Sequence, residues 1–107
     1  MNHVYFKIPG WFGFHDVYDR AVAFAPSPAR FLEVGCWMGR ATAYLGVNIL
    51  NSGKDITLDC VDTWEGSPGE KEQEGYSPAL LFETFTSNLL PLSRVGLKLN
   101  IHRGLSV

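Results

Sequence analysis

The chain contains the segment RFLEVGCWMGR at residues 30–40. Residues 30–34 form a short, mostly apolar run that ends at Gly35, and a run of this length next to a glycine predicts a buried strand. Residues 35–39 predict a turn. Apolar residues at helical spacing over 40–50 predict a helix that begins directly after the turn. The segment therefore predicts a strand, a glycine-bearing turn and a helix in immediate succession.

The region before this segment predicts a lead-in and a helix. Residues 1–13 are rich in aromatic residues and glycine and predict an irregular lead-in. Apolar residues at helical spacing then predict a helix over 14–25, which Pro26 and Pro28 end. The predicted strand at 30–34 follows this helix after a short connection.

The region after this segment repeats the alternation of strand and helix. Residues 56–61 alternate and carry β-branched side chains, which predicts a second strand. A helix is predicted over 79–90, where Pro91 ends it, and a third strand over 97–101. Alternation of this kind predicts an α/β protein whose parallel strands are joined by right-handed crossovers.

Composition and length exclude several classes of protein. The length of 107 residues corresponds to one domain at most. With 46% hydrophobic and 19% charged residues, the composition is typical of a globular chain. A net charge of -2 excludes a typical nucleic-acid backbone binder, and no apolar run has the length of a membrane span. Residues 1–10 lack the pattern of a secretory signal, so a cytoplasmic protein is predicted. Cys36 and Cys60 lack C-x-x-C spacing and predict two reduced thiols, and no metal site is predicted.

The glycine turn is the first candidate binding element. Backbone N–H groups at a helix start, placed at the carboxyl edge of a parallel sheet, bind ligands in open α/β folds. Gly35 permits the sharp turn and a close ligand, and Gly39 is expected to let the helix pack close to the strand. The spacing G-x-x-x-G differs from the G-x-G-x-x-G of dinucleotide binders. Glu33 would repel a diphosphate and suits a cationic ligand.

Two further elements follow the second and third strands. Asp62 ends the second strand, where an acidic residue can accept hydrogen bonds from ribose hydroxyls, or can simply cap the strand end. Trp64 can present a flat face to an adenine ring, or can be a core residue of the loop. Leu105 and Ser106 follow the third strand, at a tip beside that of the second, where they can reach an adenine edge.

In this order the motifs resemble those of the class I S-adenosylmethionine-dependent methyltransferases. The resemblance is strongest to the small-molecule O-methyltransferase branch, which includes the catechol O-methyltransferase-like and macrocin O-methyltransferase-like families. It covers roughly residues 14–107 and rests on residues 31–39, 61–66, 85–90 and 101–106.

The resemblance implies a Rossmann-like fold, with this chain as the 3-2-1 half of a doubly wound parallel sheet with flanking helices. Residues 1–13 would be the lead-in, and residues 14–107 a truncated S-adenosyl-L-methionine-binding domain. It also implies which residues would contact this cofactor. The methionine part would lie against Glu33, Gly35, Cys36, Trp37 and Gly39, the ribose against Asp62, and the adenine against Trp64, Leu105 and Ser106. Thr63 would be a further cofactor contact.

The implied function is methyl transfer to the hydroxyl of a small-molecule acceptor in the intact enzyme. The catalytic residues and the ligands of any divalent metal have no counterpart in this chain, so we expect it alone to bind the cofactor weakly and to be inactive. One alternative is a non-catalytic nucleoside-binding or assembly module that retains the fold. Another is a nicotinamide-binding unit, which the glycine spacing and Glu33 disfavour.

Strand 30–34 would expose an apolar edge, which is a pairing hazard. We therefore expect a homo-oligomer through this edge, or cover from helix 14–25 or from the lead-in. No nucleic-acid or membrane partner is expected. Trp11, Phe12 and Phe14 are candidates for the wall of an acceptor pocket, or are packing aromatics.

Overall fold

A computed structural model of the chain describes residues 1–64 and 78–104. Its elements alternate as the sequence predicts. In chain order they are a single 3-10 turn at Tyr5–Lys7, α1 at His15–Phe24, β1 at Ala29–Val34, α2 at Arg40–Ser52, β2 at Ile56–Asp62, α3 at Pro78–Arg94 and β3 at Lys98–Arg103.

The three strands form one parallel sheet in the order β1-β2-β3. This confirms the predicted α/β class and the 3-2-1 strand order. In the register of the sheet, Val34 pairs with Val61, and Val61 pairs with His102. The carboxyl ends of all three strands therefore meet at one edge, and the segments that follow them lie side by side.

The core lies between one face of the sheet and helices α2 and α3. Side chains alternate across a strand, and on β2 the residues at alternate positions, Ile56, Leu58 and Cys60, are 0–2% exposed. The core residues from α3 include Phe85, Leu89 and Leu92. The helices thus fix the sheet from one side and hold the carboxyl edge in place.

Gly39 allows α2 and α3 to approach each other closely. Its φ of 93° lies in the left-handed region, and a Cβ at this position would overlap the Leu89 side chain and approach Phe85. The sequence predicts that Gly39 lets the helix pack close to the strand, and this prediction is wrong, because the residues that approach Gly39 belong to another helix. The neighbour that needs the space is α3.

Helix α3 continues past Pro91, which contradicts the predicted end at that residue. Proline removes one backbone donor, but Pro91 is exposed and the next residue, Leu92, is fully buried and anchors the last turn. The helix ends where Gly96 takes a φ of 111° and the Leu97 N–H donates to the Leu92 carbonyl at 3.0 Å.

Strand β1 lies at the edge of the sheet, as predicted. Its side chains Leu32 and Val34 are 66% and 55% exposed, so neither α1 nor the lead-in covers them. The physical reason is that α1 packs against α2 instead. Lys54 at the far end of α2 holds α1 there, because its ammonium donates to three carbonyls at the end of α1, those of Val22, Ala23 and Ala25.

Within residues 1–64 and 78–104, none of the helices has the length and apolar character that crossing a bilayer requires.

Candidate functional site

The turn between β1 and α2 leaves open space at Gly35. This glycine has a φ of 81°, its N–H donates to the Val61 carbonyl at 2.9 Å, and no atom lies within 4 Å of a Cβ built on it. A hydrogen bond of 2.8 Å from the Gly39 N–H to the Cys36 carbonyl closes the turn, and α2 begins at Arg40. A ligand can therefore approach the backbone beside the positive end of a helix.

Asp62 connects this turn to the segment after β2. One carboxylate oxygen accepts from the Trp37 N–H and the other from the Trp64 N–H, both at 2.9 Å. The sequence left two roles open for Asp62, a ribose ligand or a cap of the strand end. The structure gives it the capping role, and each carboxylate oxygen retains a lone pair for a further donor.

Trp37 and Trp64 both adopt positive φ angles, 47° and 54°. Bulky residues are uncommon in this region of backbone space, and such strain collects at functional sites. The two residues are also joined directly, since the Trp64 indole N–H donates to the Trp37 carbonyl at 2.7 Å. Asp62 and the two tryptophans thus form one closed network at the carboxyl edge.

The ring of Trp64 belongs to the core. It is 1% exposed and packs against Phe82 and Phe85, with ring centroids 5.0 and 4.9 Å away. The expectation that it offers a flat face to an adenine is therefore not met, because the helix α3 already occupies that face. The alternative, a core residue of the loop, describes its position.

Glu33 is turned inward. Its side chain is 7% exposed, and its carboxylate accepts from the hydroxyl of Tyr18 at 2.8 Å and from the hydroxyl of Thr42. Burial of the Tyr18 hydroxyl, reinforced by the negative charge of Glu33, raises the pKa of Tyr18 well above its usual range. The carboxylate therefore lies beneath the turn rather than at its open side.

Two thiols lie beside the Glu33 carboxylate. Cys36 and Cys60 are buried, and their sulfur atoms and a Glu33 oxygen all lie within 4.8 Å of one another. A hydrogen bond with Cys60, burial and the charge of Glu33 together raise the pKa of the Cys36 thiol. Sequence spacing missed this cluster, although Glu33 and Cys60 are partners in the parallel register.

Among the remaining predicted cofactor contacts, the structure describes Thr63 and Trp37. Thr63 is half-buried beside Asp62, and Trp37 packs its partly buried ring near Gly10 of the lead-in. Leu105 and Ser106 lie outside the described residues. The end of β3 does reach the site, since the Gly104 N–H donates to the Asp62 carbonyl at 2.9 Å.

The lead-in aromatics separate into two groups. Trp11 and Phe14 are 77% and 52% exposed and contact each other edge to face. Phe12 instead packs against Tyr18 and Tyr44, which is the packing role that the sequence left open. The lead-in is tied to α2 because the Arg40 guanidinium donates to the Ile8 carbonyl at 2.8 Å.

The face of the sheet opposite α2 and α3 carries a cluster of polar side chains. Asp59 accepts from the Arg30 guanidinium at 2.5 and 3.2 Å and from Asn100 at 3.0 Å, and His102 lies 3.2 Å away. The hydrogen bonds from Arg30 in particular hold the pKa of Asp59 well below its usual range. A shallow depression of about 510 Å³ lies beside this cluster, between Leu32 and Val61.

Comparison with known proteins finds likenesses among solved structures. No family model matches the chain, and no curated protein matches it by sequence. Among solved structures the chain is similar to a cyclopropane-fatty-acyl-phospholipid synthase-like protein from Lactobacillus casei ATCC 334, with 18% identity and a TM-score of 0.43. The match covers 86% of this chain and 30% of that one, so the chain spans less than a third of its length. At this identity and score, the assignment of function rests on the site alone.

Proposed function

We propose that the chain binds S-adenosyl-L-methionine at the carboxyl edge of its sheet and is the cofactor-binding part of an O-methyltransferase. The observation that supports this most directly is the pairing of an open glycine turn with an acidic residue at the end of the next strand. The Trp37 N–H and the Asp62 carboxylate are joined at 2.9 Å, so the two elements form one site.

The residues fit the cofactor in part. The backbone at Gly35 is open to a ligand, and Asp62 can accept from the ribose hydroxyls through its remaining lone pairs. Glu33 and the ring of Trp64 are buried, so they would act through their charge and through packing rather than by direct contact. When bound, the cofactor supplies an electrophilic methyl group.

In the intact enzyme this part of the chain would orient the donor. Methyl transfer depends on alignment of donor and acceptor at near-attack distance. The Asp62 network holds Trp37 and Trp64 in one arrangement before the ligand arrives, which lowers the ordering cost of binding. Trp11 and Phe14, exposed beside α1, are candidates for contacts with an apolar small-molecule acceptor.

The test is calorimetric titration of S-adenosylhomocysteine into the wild-type chain and two glycine variants. Gly35→Ala and Gly53→Ala are matched, because both residues have positive φ, 81° and 70°, and neither added methyl group meets an atom within 4 Å. Only Gly35 lies in the proposed site, since Gly53 caps the far end of α2.

We expect Gly35→Ala to weaken binding at least tenfold, a loss of about 1.4 kcal/mol, because its methyl group occupies the space of the ligand. Gly53→Ala should bind like the wild type while losing similar stability. Equal affinities in the two variants, or binding of NAD but not of S-adenosylhomocysteine, would contradict the proposal.

A non-catalytic assembly module remains the second candidate. It is favoured by the exposed apolar side chains of Leu32 and Val34 on the edge strand. Saturable binding of S-adenosylhomocysteine, with no methyl transfer by the full-length protein, would favour this candidate over the enzyme.

A further inference from the structure

Glu33 is a buried carboxylate without a cationic neighbour in the part of the chain that the structure describes. The neutral hydroxyls of Tyr18 and Thr42 donate hydrogen bonds to it there. The ion pairs of residues 1–64 and 78–104 involve Asp55 and Asp59 instead. A buried charge is costly unless it is paired or binds a metal ion. A bound cation would therefore supply the positive charge that Glu33 lacks.

The side chains beside Glu33 are two thiols, which can bind a metal ion but cannot form a salt bridge with a carboxylate. The sulfur atoms of Cys36 and Cys60 and a Glu33 oxygen lie within 4.8 Å of one another, and these three side chains are 6%, 0% and 7% exposed. Ligands that surround one zinc ion lie about 3.5–4 Å apart. A shift of about 1 Å would bring all three donors to one ion.

We propose that Glu33, Cys36 and Cys60 bind one zinc-class divalent metal ion beneath the glycine turn. Two thiolates and a carboxylate are ligands that zinc prefers, and three protein ligands leave a fourth position for water. The hydroxyls of Tyr18 and Thr42 already donate to the carboxylate, as groups around a metal-binding carboxylate commonly do. The ion would tie β1, its turn and β2 together.

The existing hydrogen bonds are compatible with this role. Cys36 Sγ donates to the Glu33 carbonyl at 3.5 Å and lies 4.0 Å from the Val61 carbonyl, so its proton now has a weak acceptor. Binding would release the thiol protons to solvent as both sulfurs become thiolates. The bond that forms is metal to sulfur, and no oxidation is involved.

The experiment is titration of Co²⁺ into the reduced chain without oxygen, followed by absorption. The chain has two cysteines in all, so sulfur-to-cobalt charge-transfer absorption in the near ultraviolet can come only from Cys36 and Cys60. We expect this absorption to saturate at one ion per chain and to disappear when Zn²⁺ is added. Native mass spectrometry should show one bound zinc.

Single variants separate the three ligands. Cys36→Ala, Cys60→Ala and Glu33→Gln should each weaken Co²⁺ binding at least tenfold. Asp59→Asn is the matched control for Glu33→Gln, because Asp59 is an equally buried carboxylate that is paired with Arg30 on the opposite face of the sheet. It should leave the absorption unchanged.

Folding is checked by circular dichroism, and the wild-type chain provides a readout that needs no variant. At neutral pH, zinc binding should release about two protons per ion. The proposal is overturned if the folded wild-type chain shows no sulfur-to-cobalt absorption, or if either cysteine variant binds Co²⁺ as tightly as the wild type. It does not depend on the proposed methyltransferase function, and Gly53→Ala, at the far end of α2, should leave the metal titration unchanged.

Discussion

At the scale of single residues, Asp62 supports the backbone on both sides of the candidate site. It accepts hydrogen bonds from the backbone of Trp37 and of Trp64, two residues that both have positive φ angles. A group that supports the strained segments on both sides of a site acts on the geometry of that site before any ligand is present. The capping role and the proposed ligand role therefore belong to the same carboxylate.

Asp62→Asn should lower the free energy of unfolding by about 1–3 kcal/mol, because the amide nitrogen cannot accept from one of the two N–H groups. Urea unfolding measures the change. Asp55→Asn is the control, since the Asp55 side chain is half exposed and pairs with Lys98, and its loss should be about 0.2–1 kcal/mol. Equal losses in the two variants would contradict the role of Asp62 as a support of the site.

Asp59 should make stability depend on pH in the acid range. Its pKa in the folded chain is held below the usual value of about 3.9, chiefly by Arg30. A lowered folded pKa stabilises the fold above about pH 4, and the contribution is lost as the pH falls through the folded pKa.

We therefore expect Asp59→Asn to be less stable than the wild type at neutral pH, with a difference that shrinks between about pH 5 and about pH 2. Urea unfolding across this range measures it. Arg30→Gln should reduce the pH dependence as well, because it removes the strongest partner of the carboxylate. A difference that stays constant with pH would show that Asp59 is not responsible.

At the scale of elements, the approach of α3 to the start of α2 positions the glycine turn. Gly39 permits it, because a Cβ there would overlap Leu89. The buried residue Leu92 keeps α3 helical beyond Pro91 and extends the same contact surface. Tertiary packing thus overrides the local signal of a proline.

Gly39→Ala should lower the free energy of unfolding by about 2–4 kcal/mol, because it combines a strained φ with overpacking against α3. Gly53→Ala has a comparable positive φ but meets no atom within 4 Å, so its loss should be about 1–2 kcal/mol. The difference between the two variants in thermal or urea unfolding isolates the packing term. Losses of the same size would show that no close approach exists at Gly39.

At the scale of the whole molecule, α2 and α3, the two helices that connect consecutive strands, lie on one side of the sheet. The edge strand β1 therefore presents Leu32 and Val34, which are more than half exposed. An unpaired edge with apolar side chains favours pairing with a second chain. The predicted homo-oligomer remains a prediction that this surface supports.

We expect sedimentation velocity of the wild-type chain to show association that increases with concentration. Leu32→Lys should weaken this association at least tenfold, because a lysine on an edge strand opposes pairing. Leu90→Lys, at an exposed position on α3, should behave like the wild type. A wild-type chain that stays monomeric over the whole concentration range would contradict the edge interface.

The sequence by itself determined the order of elements and the place of the glycine turn between them. Alternating strand and helix patterns, with glycine at residues 35 and 39, were enough to predict a parallel sheet with a binding turn at its carboxyl edge, because these signals are local. Local signals also located the end of α1 at the prolines.

Only the tertiary structure decided which way the side chains of the site face. Trp64 and Glu33 occupy positions that suggest ligand contacts, yet α3 covers one and the hydroxyls of Tyr18 and Thr42 hold the other inward. The cluster of Glu33 with Cys36 and Cys60 depends on the pairing of β1 with β2. Such contacts join residues of different elements, from 9 positions apart for Glu33 and Thr42 to 27 for Glu33 and Cys60, so periodicity and spacing along the chain carry no record of them.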